Sequence, residues 1–370
     1  MLHDSLKAPE MTITNSSRLF FSLMTLAAVL LFSLATFLTL HQMRRGSAVN
    51  SKKVVQVIVD TDIGPWTDDV GSMAVLHSWA DAGRLKILGI VSNNAYPGAA
   101  PVIDALNSYF HRPQIPIGIT KNEDAYANAG ILGWPEWLLA NSDKYPHLNV
   151  QNNSQAEDAV QLYRRILAKS SSKNGGITIL SIGYLTNLAA LLASPPDHLS
   201  PLNGTELVRS KVKRLVAMAG RFPSGLETNL KNQTAAAQQA LHHWPTPVTF
   251  VGFEVGTAIR CGSNLLHPEN GTSVEKDSPV SKIFEMYVQH RGRLDGCFDQ
   301  VAAYILVAGL EPFYETVKGR IEIAANGSNQ WVGDDELQEA GLLGQQVYIR
   351  QKAGVSSDTI TKAIDELMER

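Results

Sequence analysis

Four aspartates lie within ten residues of one another around a Gly-Pro turn: Asp60, Asp62, Asp68 and Asp69. Carboxylates confined to one loop repel one another by roughly several kcal/mol at intermediate dielectric, so we expect a cation among them. Irregular sites made of oxygen ligands suit calcium better than magnesium. The alternative is helix capping by Asp68 and Asp69, but capping gives no reason for Asp60 and Asp62. The loop therefore predicts a calcium site.

Further amides and carboxylates follow apolar runs later in the chain. They are Asn93 and Asn94, Thr186 and Asn187, Glu227 and Asn229, and Asp299. In an open α/β sheet the ligand crevice lies beyond the carboxyl ends of the strands, which is where such residues would stand. Each alone could be a helix cap or a loop residue, but together they predict one polar rim shared by several strand ends.

The elements that would hold these residues alternate between strand and helix. Short β-branched runs typical of buried parallel strands lie at 54–59, 85–91, 115–119, 177–180, 215–218 and 248–251. Helical patterns lie at 70–82, 100–110, 159–169, 301–310 and 357–370. This alternation predicts an α/β fold with an open, mostly parallel central sheet flanked by helices. No internal repeat or long linker interrupts residues 54–370, so we expect one large domain there.

The overall composition excludes several classes of protein. A chain of 370 residues that is 44% hydrophobic and 18% charged is expected to be globular rather than disordered. Its net charge of −3 lacks the attraction to phosphate backbones that nucleic-acid binding needs, so no nucleic-acid partner is expected. The two cysteines, Cys261 and Cys297, form no C-x-x-C pair, and one disulfide bridge or two free thiols both remain open.

The N-terminal region contains an uncharged apolar stretch at residues 19–40. As a helix it is long enough to cross the roughly 30 Å hydrocarbon layer of a membrane. It exceeds the apolar region of a typical cleaved signal peptide, and no clear small-x-small cleavage site follows it. We therefore expect a transmembrane signal-anchor at 19–40, after a tail at 1–18 and before a linker at 41–53. The alternative is a cleaved signal and a secreted product.

Two patterns disagree on the orientation of that segment. Lysine and arginine are more frequent after residues 19–40 than before them, so the positive-inside rule would keep the following domain cytoplasmic. Five N-glycosylation sequons favour the opposite side. They begin at Asn152, Asn203, Asn232, Asn270 and Asn326. Because sequons have meaning only in an exported chain, we expect a single-pass membrane glycoprotein whose main domain is lumenal or extracellular.

The acidic loop and the later polar residues resemble the motifs of the nucleoside hydrolase family, the inosine-uridine-preferring type and its distant relatives. The D-T-D-x-G-x-D-D opening of that family is matched by residues 60–62 and 68–69, with two extra residues around Pro65-Trp66. The later matches are L-T-N at 185–187, E-x-N at 227–229 and the late aspartate at Asp299. The resemblance covers roughly residues 54–320, with all motifs in the family's order.

This resemblance implies hydrolysis of the N-glycosidic bond of ribonucleosides, which gives a free base and ribose. It implies a calcium ion held by Asp62, Asp69, Asp299 and the backbone carbonyl of Thr186. It also makes Asp62 the general base that takes a proton from the attacking water. Carboxylates suit this reaction because cleavage passes through a positively charged, oxocarbenium-like sugar.

The resemblance also implies how a small-molecule nucleoside would be bound. The expected substrate-binding residues are Asp68, Asn93, Asn94, Glu227 and Asn229. Among these, Asp68, Glu227 and Asn229 would hold the ribose hydroxyls, and Asn93 or Asn94 would orient Asp62. A homo-oligomer is also left open.

One position departs from the family pattern. Many members carry a histidine directly before the late aspartate, where it helps to protonate the leaving base, but Phe298 stands there in this chain. Because phenylalanine cannot donate a proton, the base must be protonated by another group, stabilised by stacking or be a better leaving group, unless turnover has been lost. Candidates for a stacking wall are Trp66, Trp134, Trp137 and Phe298. The nearest histidine in sequence is His290.

Two alternatives to a nucleoside hydrolase follow from the sequence. The first is a membrane-anchored nucleoside- or ribose-binding protein of the same fold that has lost turnover, which Phe298 would explain. The second is a magnesium-dependent phosphohydrolase of the haloacid dehalogenase kind, with Asp60 as its nucleophile. The motif of that class requires a threonine two residues after the second aspartate, where this chain has Gly64.

Overall fold

The computed structural model describes residues 54–122, 125–171, 175–266, 277–311, 313–339 and 345–369. The predicted tail, transmembrane segment and linker at 1–53 lie outside these residues, as does the Asn270 sequon. Among the helices of the described ranges, none is long and apolar enough to cross a membrane. The predicted domain boundaries and the orientation in a membrane therefore stay predictions. Residues from Val54 onwards form one compact unit.

A single sheet runs through the described part of the chain. Its strands are β1 (Val55–Thr61), β2 (Leu85–Ser92), β3 (Ile117–Ile119), β4 (Glu157–Asp158), β5 (Ile177–Ile182), β6 (Val212–Met218), β7 (Ser224–Leu226), β8 (Val248–Val251), β9 (Tyr314–Ile323), β10 (Ser328–Gly333) and β11 (Gln346–Gln351). Their spatial order is β4-β3-β2-β1-β5-β6-β8-β11-β9-β10-β7. Pairing is parallel from β4 to β11, whereas β9, β10 and β7 add an antiparallel extension. The predicted mostly parallel sheet is confirmed, and the antiparallel extension is a feature that the sequence patterns did not predict.

Helices cover both faces of this sheet. They are α1 (Asp68–Asp81), α2 (Ala99–Tyr109), α3 (Trp134–Ala140), α4 (Ala159–Lys169), α5 (Thr186–Ala193), α6 (Gly204–Lys211), α7 (Thr228–Lys231), α8 (Thr234–His243), α9 (Phe253–Thr257), α10 (Pro279–Arg291), α11 (Phe298–Ala308), α12 (Asp334–Glu339) and α13 (Ser357–Met368). Strand β1 sends Val57 and Val59 into one apolar core and Ile58 into the other, as the alternation of side chains along a strand requires. Helices α1, α2, α10, α11 and α13 contribute to the first core, and α4, α5, α6 and α8 contribute to the second. The central strands are therefore buried on both faces, which explains their continuous apolar runs.

A disulfide joins Cys261 to Cys297. It links the segment after α9 to the residue that directly precedes α11. The C-terminal helix α13 holds the same segment through Asp365, whose carboxylate accepts hydrogen bonds from the backbone N–H of Gly262 at 2.7 Å and the Ser263 hydroxyl at 3.2 Å. The start of α11 is thus connected covalently to a loop that α13 holds in place.

Burial raises the pKa of Asp365 to about 6. Because the folded protein binds the proton more tightly than the unfolded chain, Asp365 stabilises the fold at pH 4 and loses this contribution as the pH rises to about 6. We expect the free energy of unfolding of the wild type, relative to Asp365→Asn, to fall by about 2 kcal/mol between pH 4 and pH 6. Urea unfolding at pH 4, 5, 6 and 7 measures it.

Asp358→Asn is the control for this comparison, because Asp358 is an exposed acid on the same helix. Its unfolding free energy should follow that of the wild type at each pH. If the unfolding free energies of the wild type and Asp365→Asn change with pH in parallel, the pKa of Asp365 is the same in the folded and unfolded protein.

Candidate active site

The carboxyl ends of three neighbouring strands bring the site together. Strand β1 lies between β2 and β5, with Thr61 paired to Ser92 on one side and to Ile182 on the other. The next residues along each chain segment, Asp62, Asn93 and Gly183, therefore emerge side by side at one edge of the sheet. This is the convergence that parallel strands impose on residues far apart in sequence.

Asp60 is fully buried and lies beneath the site. Its carboxylate accepts hydrogen bonds from Asn93 Nδ2 at 2.8 Å, the Tyr163 hydroxyl at 2.9 Å and Asn187 Nδ2 at 3.1 Å. Burial raises the pKa of Asp60 to about 7, and these three hydrogen bonds oppose the shift. Since Asp60 is inaccessible and already hydrogen-bonded by three donors, it is unsuited to be the nucleophile of a phosphohydrolase.

The two asparagines after β2 are positioning residues. Besides holding Asp60, Asn93 accepts a hydrogen bond from the backbone N–H of Tyr184 at 3.0 Å. Asn94 donates to the backbone carbonyls of Asp62 at 3.0 Å and Asn128 at 2.7 Å. Both asparagines are fully buried and neither lines the pocket described below. Their predicted contact with substrate stays a prediction, and Asn94 holds Asp62 through the backbone carbonyl of Asp62.

A compact group of carboxylates lies at the N-terminal ends of two helices. Asp68 and Asp69 lie in the first turn of α1, and Asp299 lies in the first turn of α11. Each offers a carboxylate oxygen, and these oxygens all lie within 4.8 Å of one another. Within the described ranges, the buried Oδ2 of Asp69 has no hydrogen-bond partner. Such buried, unpaired acidic oxygens fit a metal ion, and the oxygen-only donor set fits a hard cation.

The pKa values of these carboxyls reflect their crowding. Burial raises the pKa of Asp68, Asp69 and Asp299 well above the ordinary value, and repulsion from neighbouring carboxylates adds to the shift. The Thr61 hydroxyl donates to Asp69 and opposes the shift there. A divalent cation among these groups would favour their charged forms. The arrangement is therefore costly without a cation and suited to holding one.

Asp62 lies close enough to this cluster to interact with it electrostatically. Burial raises its pKa to about 7, with repulsion from Glu227 and Asp60 adding to the shift. Its charge in turn raises the pKa of Asp69 and of Asp299. Asp69 and Asp299 thus lie in one group with Asp68. Asp62 interacts with this group through its charge, and its predicted role as a metal ligand stays a prediction. Thr186 begins α5 at the end of β5, and the role of its carbonyl stays a prediction.

A pocket of about 370 Å³ opens above the cluster. Its buried part contains Asp62, Asp68, Glu227, Asn229 and Asp299. The Glu227 carboxylate accepts hydrogen bonds from the backbone N–H groups of Asn229 at 2.7 Å and Gly220 at 3.0 Å. Asn229 Nδ2 donates to the Met218 carbonyl at 3.0 Å. Both side chains are thereby fixed in place before any ligand enters.

The aromatic candidates divide into two groups. Trp66 and Phe298 line the pocket, where Phe298 stacks on Phe253 with ring centres 5.2 Å apart. Trp134 is fully buried in the core and Trp137 packs on Tyr145, so neither belongs to the wall. His290 is exposed and does not line the pocket. The predicted stacking wall therefore contains two of its four candidates.

Several pocket residues were missed by sequence reasoning. They are Phe253, Thr257, Arg260, Tyr287, Arg291, Arg293 and Asp295. Residues 287–295 lie shortly before Asp299 along the chain, and that proximity is the signal that could have drawn attention to Tyr287, Arg291, Arg293 and Asp295. The Phe253 to Arg260 segment carries no such signal, because only the disulfide and the fold bring it to the pocket.

Comparison with known proteins identifies the family. The family model described as inosine-uridine preferring nucleoside hydrolase matches residues 57–354. The chain belongs to the nucleoside hydrolase family. The predicted resemblance is thereby confirmed, and this nucleoside hydrolase is an N-glycosidic bond hydrolase whose substrate class is small-molecule nucleosides. A comparison with curated protein sequences gave no match.

Solved structures share the fold of this nucleoside hydrolase at low sequence identity. An inosine-guanosine nucleoside hydrolase is 17% identical, with a TM-score of 0.61 over 85% of this chain and 98% of its own. A plant nucleoside hydrolase is 16% identical, with a TM-score of 0.63 over 85% of this chain and 99% of its own. The inosine-uridine preferring enzyme from Bacillus anthracis is 15% identical, with a TM-score of 0.60 over 85% and 99%.

Close packing at Gly183 gives a test of how the nucleoside hydrolase positions Asp62. A Cβ at Gly183 would lie 2.6 Å from the backbone nitrogen of Asp62 and 2.8 Å from its Cβ. Because these atoms cannot rotate away, Gly183→Ala must displace Asp62. A shift of about 1 Å at a reacting group costs roughly 100-fold in rate, so we expect a loss of that size in kcat. Steady-state kinetics on any nucleoside that is cleaved would measure it.

Gly333→Ala is the matched control, because a Cβ at Gly333 meets no atom within 4 Å. This variant should keep the wild-type rate. Wild-type activity in Gly183→Ala would mean that the position of Asp62 does not limit catalysis.

Proposed function

We propose that the chain catalyses calcium-dependent hydrolysis of the N-glycosidic bond of ribonucleosides, giving a free base and ribose. One observation carries the proposal: the buried carboxylates of Asp68, Asp69 and Asp299 form one cluster, and Asp62, Asp68 and Asp299 line a pocket beside it. Family membership supports the bond that is cleaved, and the oxygen-only cluster supports a hard cation.

The proposed calcium ligands are Asp62, Asp69, Asp299 and the backbone carbonyl of Thr186, with Asp68 close enough to join them. When bound, calcium supplies a positive charge that makes a neighbouring water easier to deprotonate. Calcium is a weak acid in this respect, so a carboxylate base is needed as well. The same charge offsets the repulsion among the buried aspartates.

Asp62 is the proposed general base. It lines the pocket, and Asn94 and the close packing of Gly183 fix its backbone, so its carboxylate is held ready for one position of the attacking water. As the proton passes to Asp62 and the bond to the base breaks, positive charge develops on the sugar. Fixed negative side chains around the sugar, among them Glu227, stabilise that charge more than they stabilise the neutral substrate.

Glu227, Asn229 and Asp68 are the proposed ligands of the ribose hydroxyls. Backbone N–H groups orient the Glu227 carboxylate, so little rotational freedom remains to be lost on binding. Stacking on Phe298 and Trp66 is the proposed contact of the leaving base. Phe298 itself cannot protonate the base, which leaves the proton donor among the other groups of the pocket.

We also propose that the enzyme is anchored by residues 19–40, with its catalytic part lumenal or extracellular, or is secreted if that segment is cleaved. The Cys261–Cys297 disulfide supports an oxidising compartment. Asn152 and Asn326, which begin two of the sequons, are exposed.

The direct test is incubation of the protein with calcium and a panel of purine and pyrimidine nucleosides, followed by an assay of reducing sugar. We expect release of ribose from at least one of them. Binding of nucleosides in a calorimeter without any release would favour the alternative, a binding protein that has lost turnover. Neither binding nor release by a folded, calcium-loaded protein would refute the proposal.

A further inference from the structure

Three arginines surround the open end of the pocket and are here called the arginine rim: Arg260, Arg291 and Arg293. Arg260 follows α9, Arg291 ends α10 and Arg293 lies in the connection from α10 to α11. Arg291 and Arg293 are exposed, whereas the carboxylates of the cluster are buried. The pocket therefore has an acidic closed end and a basic open end.

No member of the arginine rim forms an ion pair with a carboxylate of the described ranges. Arg260 donates to the backbone carbonyl of Leu294 at 3.2 Å. The guanidinium of Arg291 lies 5.9 Å from the centre of the Trp66 ring. These contacts orient two of the three guanidinium groups without cancelling their charge.

One carboxylate does lie at this end of the pocket. Asp295 accepts hydrogen bonds from the Tyr287 hydroxyl and, at 2.8 Å, from the backbone N–H of Gly296. A fourth arginine, Arg221, lies with its guanidinium 5.8 Å from the centre of the Phe253 ring, beside the pocket. Arg221 in turn interacts with the carboxylate of Glu254. At the exposed end of the pocket lining, three arginines therefore stand against the one carboxylate of Asp295.

A neutral nucleoside offers these guanidinium groups no charged partner. Guanidinium groups that share one opening repel each other, and an anion bound between them turns that repulsion into attraction. Arginine presents its donors as a planar fork that matches the oxygens of phosphate, and it binds them with charge-assisted hydrogen bonds. The pocket volume of about 370 Å³ lies within the range typical of small-molecule sites.

We propose that the preferred substrate is a nucleoside that carries a phosphate group, with the phosphate bound by the arginine rim. The proposal rests on the hydrolase function proposed above and narrows its substrate class. The reaction is unchanged: the bond between C1′ and the base nitrogen breaks, water gives its hydroxyl to C1′, and a proton ends on the base. The phosphate ester stays intact, so the products are a free base and ribose phosphate.

The test compares inosine with its 5′-monophosphate and its 3′-monophosphate, under calcium and at low ionic strength. We expect kcat/KM for one monophosphate to exceed that for inosine by about tenfold or more, since hydrogen bonds between charged groups contribute that much or more. The position of the phosphate in the better substrate tells which end of the sugar faces the rim. Added salt should reduce the preference because it screens exposed charges.

The variants R260Q, R291Q and R293Q locate the effect. Each should lower kcat/KM for the preferred monophosphate by roughly ten- to a hundredfold, and by clearly more than it lowers kcat/KM for inosine. R209Q is the matched control, because Arg209 is an exposed arginine on α6 outside the pocket. Inorganic phosphate should inhibit inosine hydrolysis by the wild type more strongly than by R291Q.

The possible outcomes separate the two proposals. Efficient cleavage of inosine with no preference for either monophosphate, or rim variants that lower both activities equally, would overturn the role of the rim and leave the hydrolase intact. If no compound is cleaved, the hydrolase proposal fails. In that case, calorimetry with inosine and both monophosphates still tests the arginine rim. The rim proposal requires that one monophosphate binds to the wild type more tightly than inosine does, and that R291Q loses this difference.

Discussion

Replacing Asp62 with asparagine is expected to lower kcat by about 100- to 10,000-fold, the range that a positioned general base contributes. Asparagine has nearly the same shape and keeps the backbone contact with Asn94, so the loop should retain its conformation. The variant loses the ability to accept a proton from the attacking water, and it also offers the proposed calcium ion a neutral oxygen in place of a charged one. Steady-state kinetics with the best nucleoside substrate measures the effect.

The activity of Asp62→Asn should fall, but its stability should not. Without metal, Asp62 is repelled by neighbouring carboxylates and is poorly solvated. Removing its charge should therefore leave the unfolding free energy of the metal-free protein unchanged or raise it. Asp104→Asn is the control, because Asp104 is a buried acid outside the pocket that accepts hydrogen bonds from the backbone of Asn149 and Val150. Asp104→Asn should keep the wild-type activity. Full activity in Asp62→Asn would exclude Asp62 as the base.

Removal of metal is expected to abolish catalysis, with a fall in rate of about 100-fold or more that calcium reverses. The physical reason is that the clustered carboxylates of Asp68, Asp69 and Asp299 repel each other unless a cation neutralises them. Calcium at 100 times its dissociation constant should also stabilise the fold by about 2.7 kcal/mol, provided that the unfolded chain does not bind it. Activity and thermal unfolding after chelation, and after addition of calcium or magnesium, measure both effects.

Two variants assign the metal effect to the cluster. Asp69→Asn and Asp299→Asn should lose the stabilisation by calcium, whereas Asp104→Asn should keep it. A larger stabilisation by magnesium than by calcium would show that the ion was wrongly chosen. Full activity after exhaustive chelation would mean that the acidic cluster works without a metal ion.

Much of the site could be predicted because strand ends fix where residues meet. Asp62 and Asp69 follow a run of buried β-branched residues, and Asp299 opens an apolar helix, so a parallel sheet brings them to one edge. The partner of Asn93 could not be predicted. Whether an amide after β2 reaches Asp60 or Asp62 depends on the direction of side chains that alternate along β1, and a shift of one residue reverses it.

The arginine rim could not be predicted from the sequence, for a different reason. Arg260 and Arg291 are 31 positions apart, and neither belongs to a recurring motif. The edge strand β7 was also missed, because it has only three residues and its burial pattern shows no buried side chain. Short edge strands are specified by their partners in the folded protein, in this case β10, and leave little pattern of their own.

The bond between Cys261 and Cys297 matters for how the protein is produced. It spans 36 positions of sequence, and in the chain-entropy model a loop of that length stabilises a fold by about 4 kcal/mol. The reducing cytosol of a bacterial expression host would leave both thiols free, whereas a periplasmic or secretory route would join them. Asp299 lies two positions after Cys297. Protein produced in the cytosol should therefore unfold more readily and have lower activity than protein produced by the secretory route. A gel run without reductant separates the two preparations before any assay is interpreted.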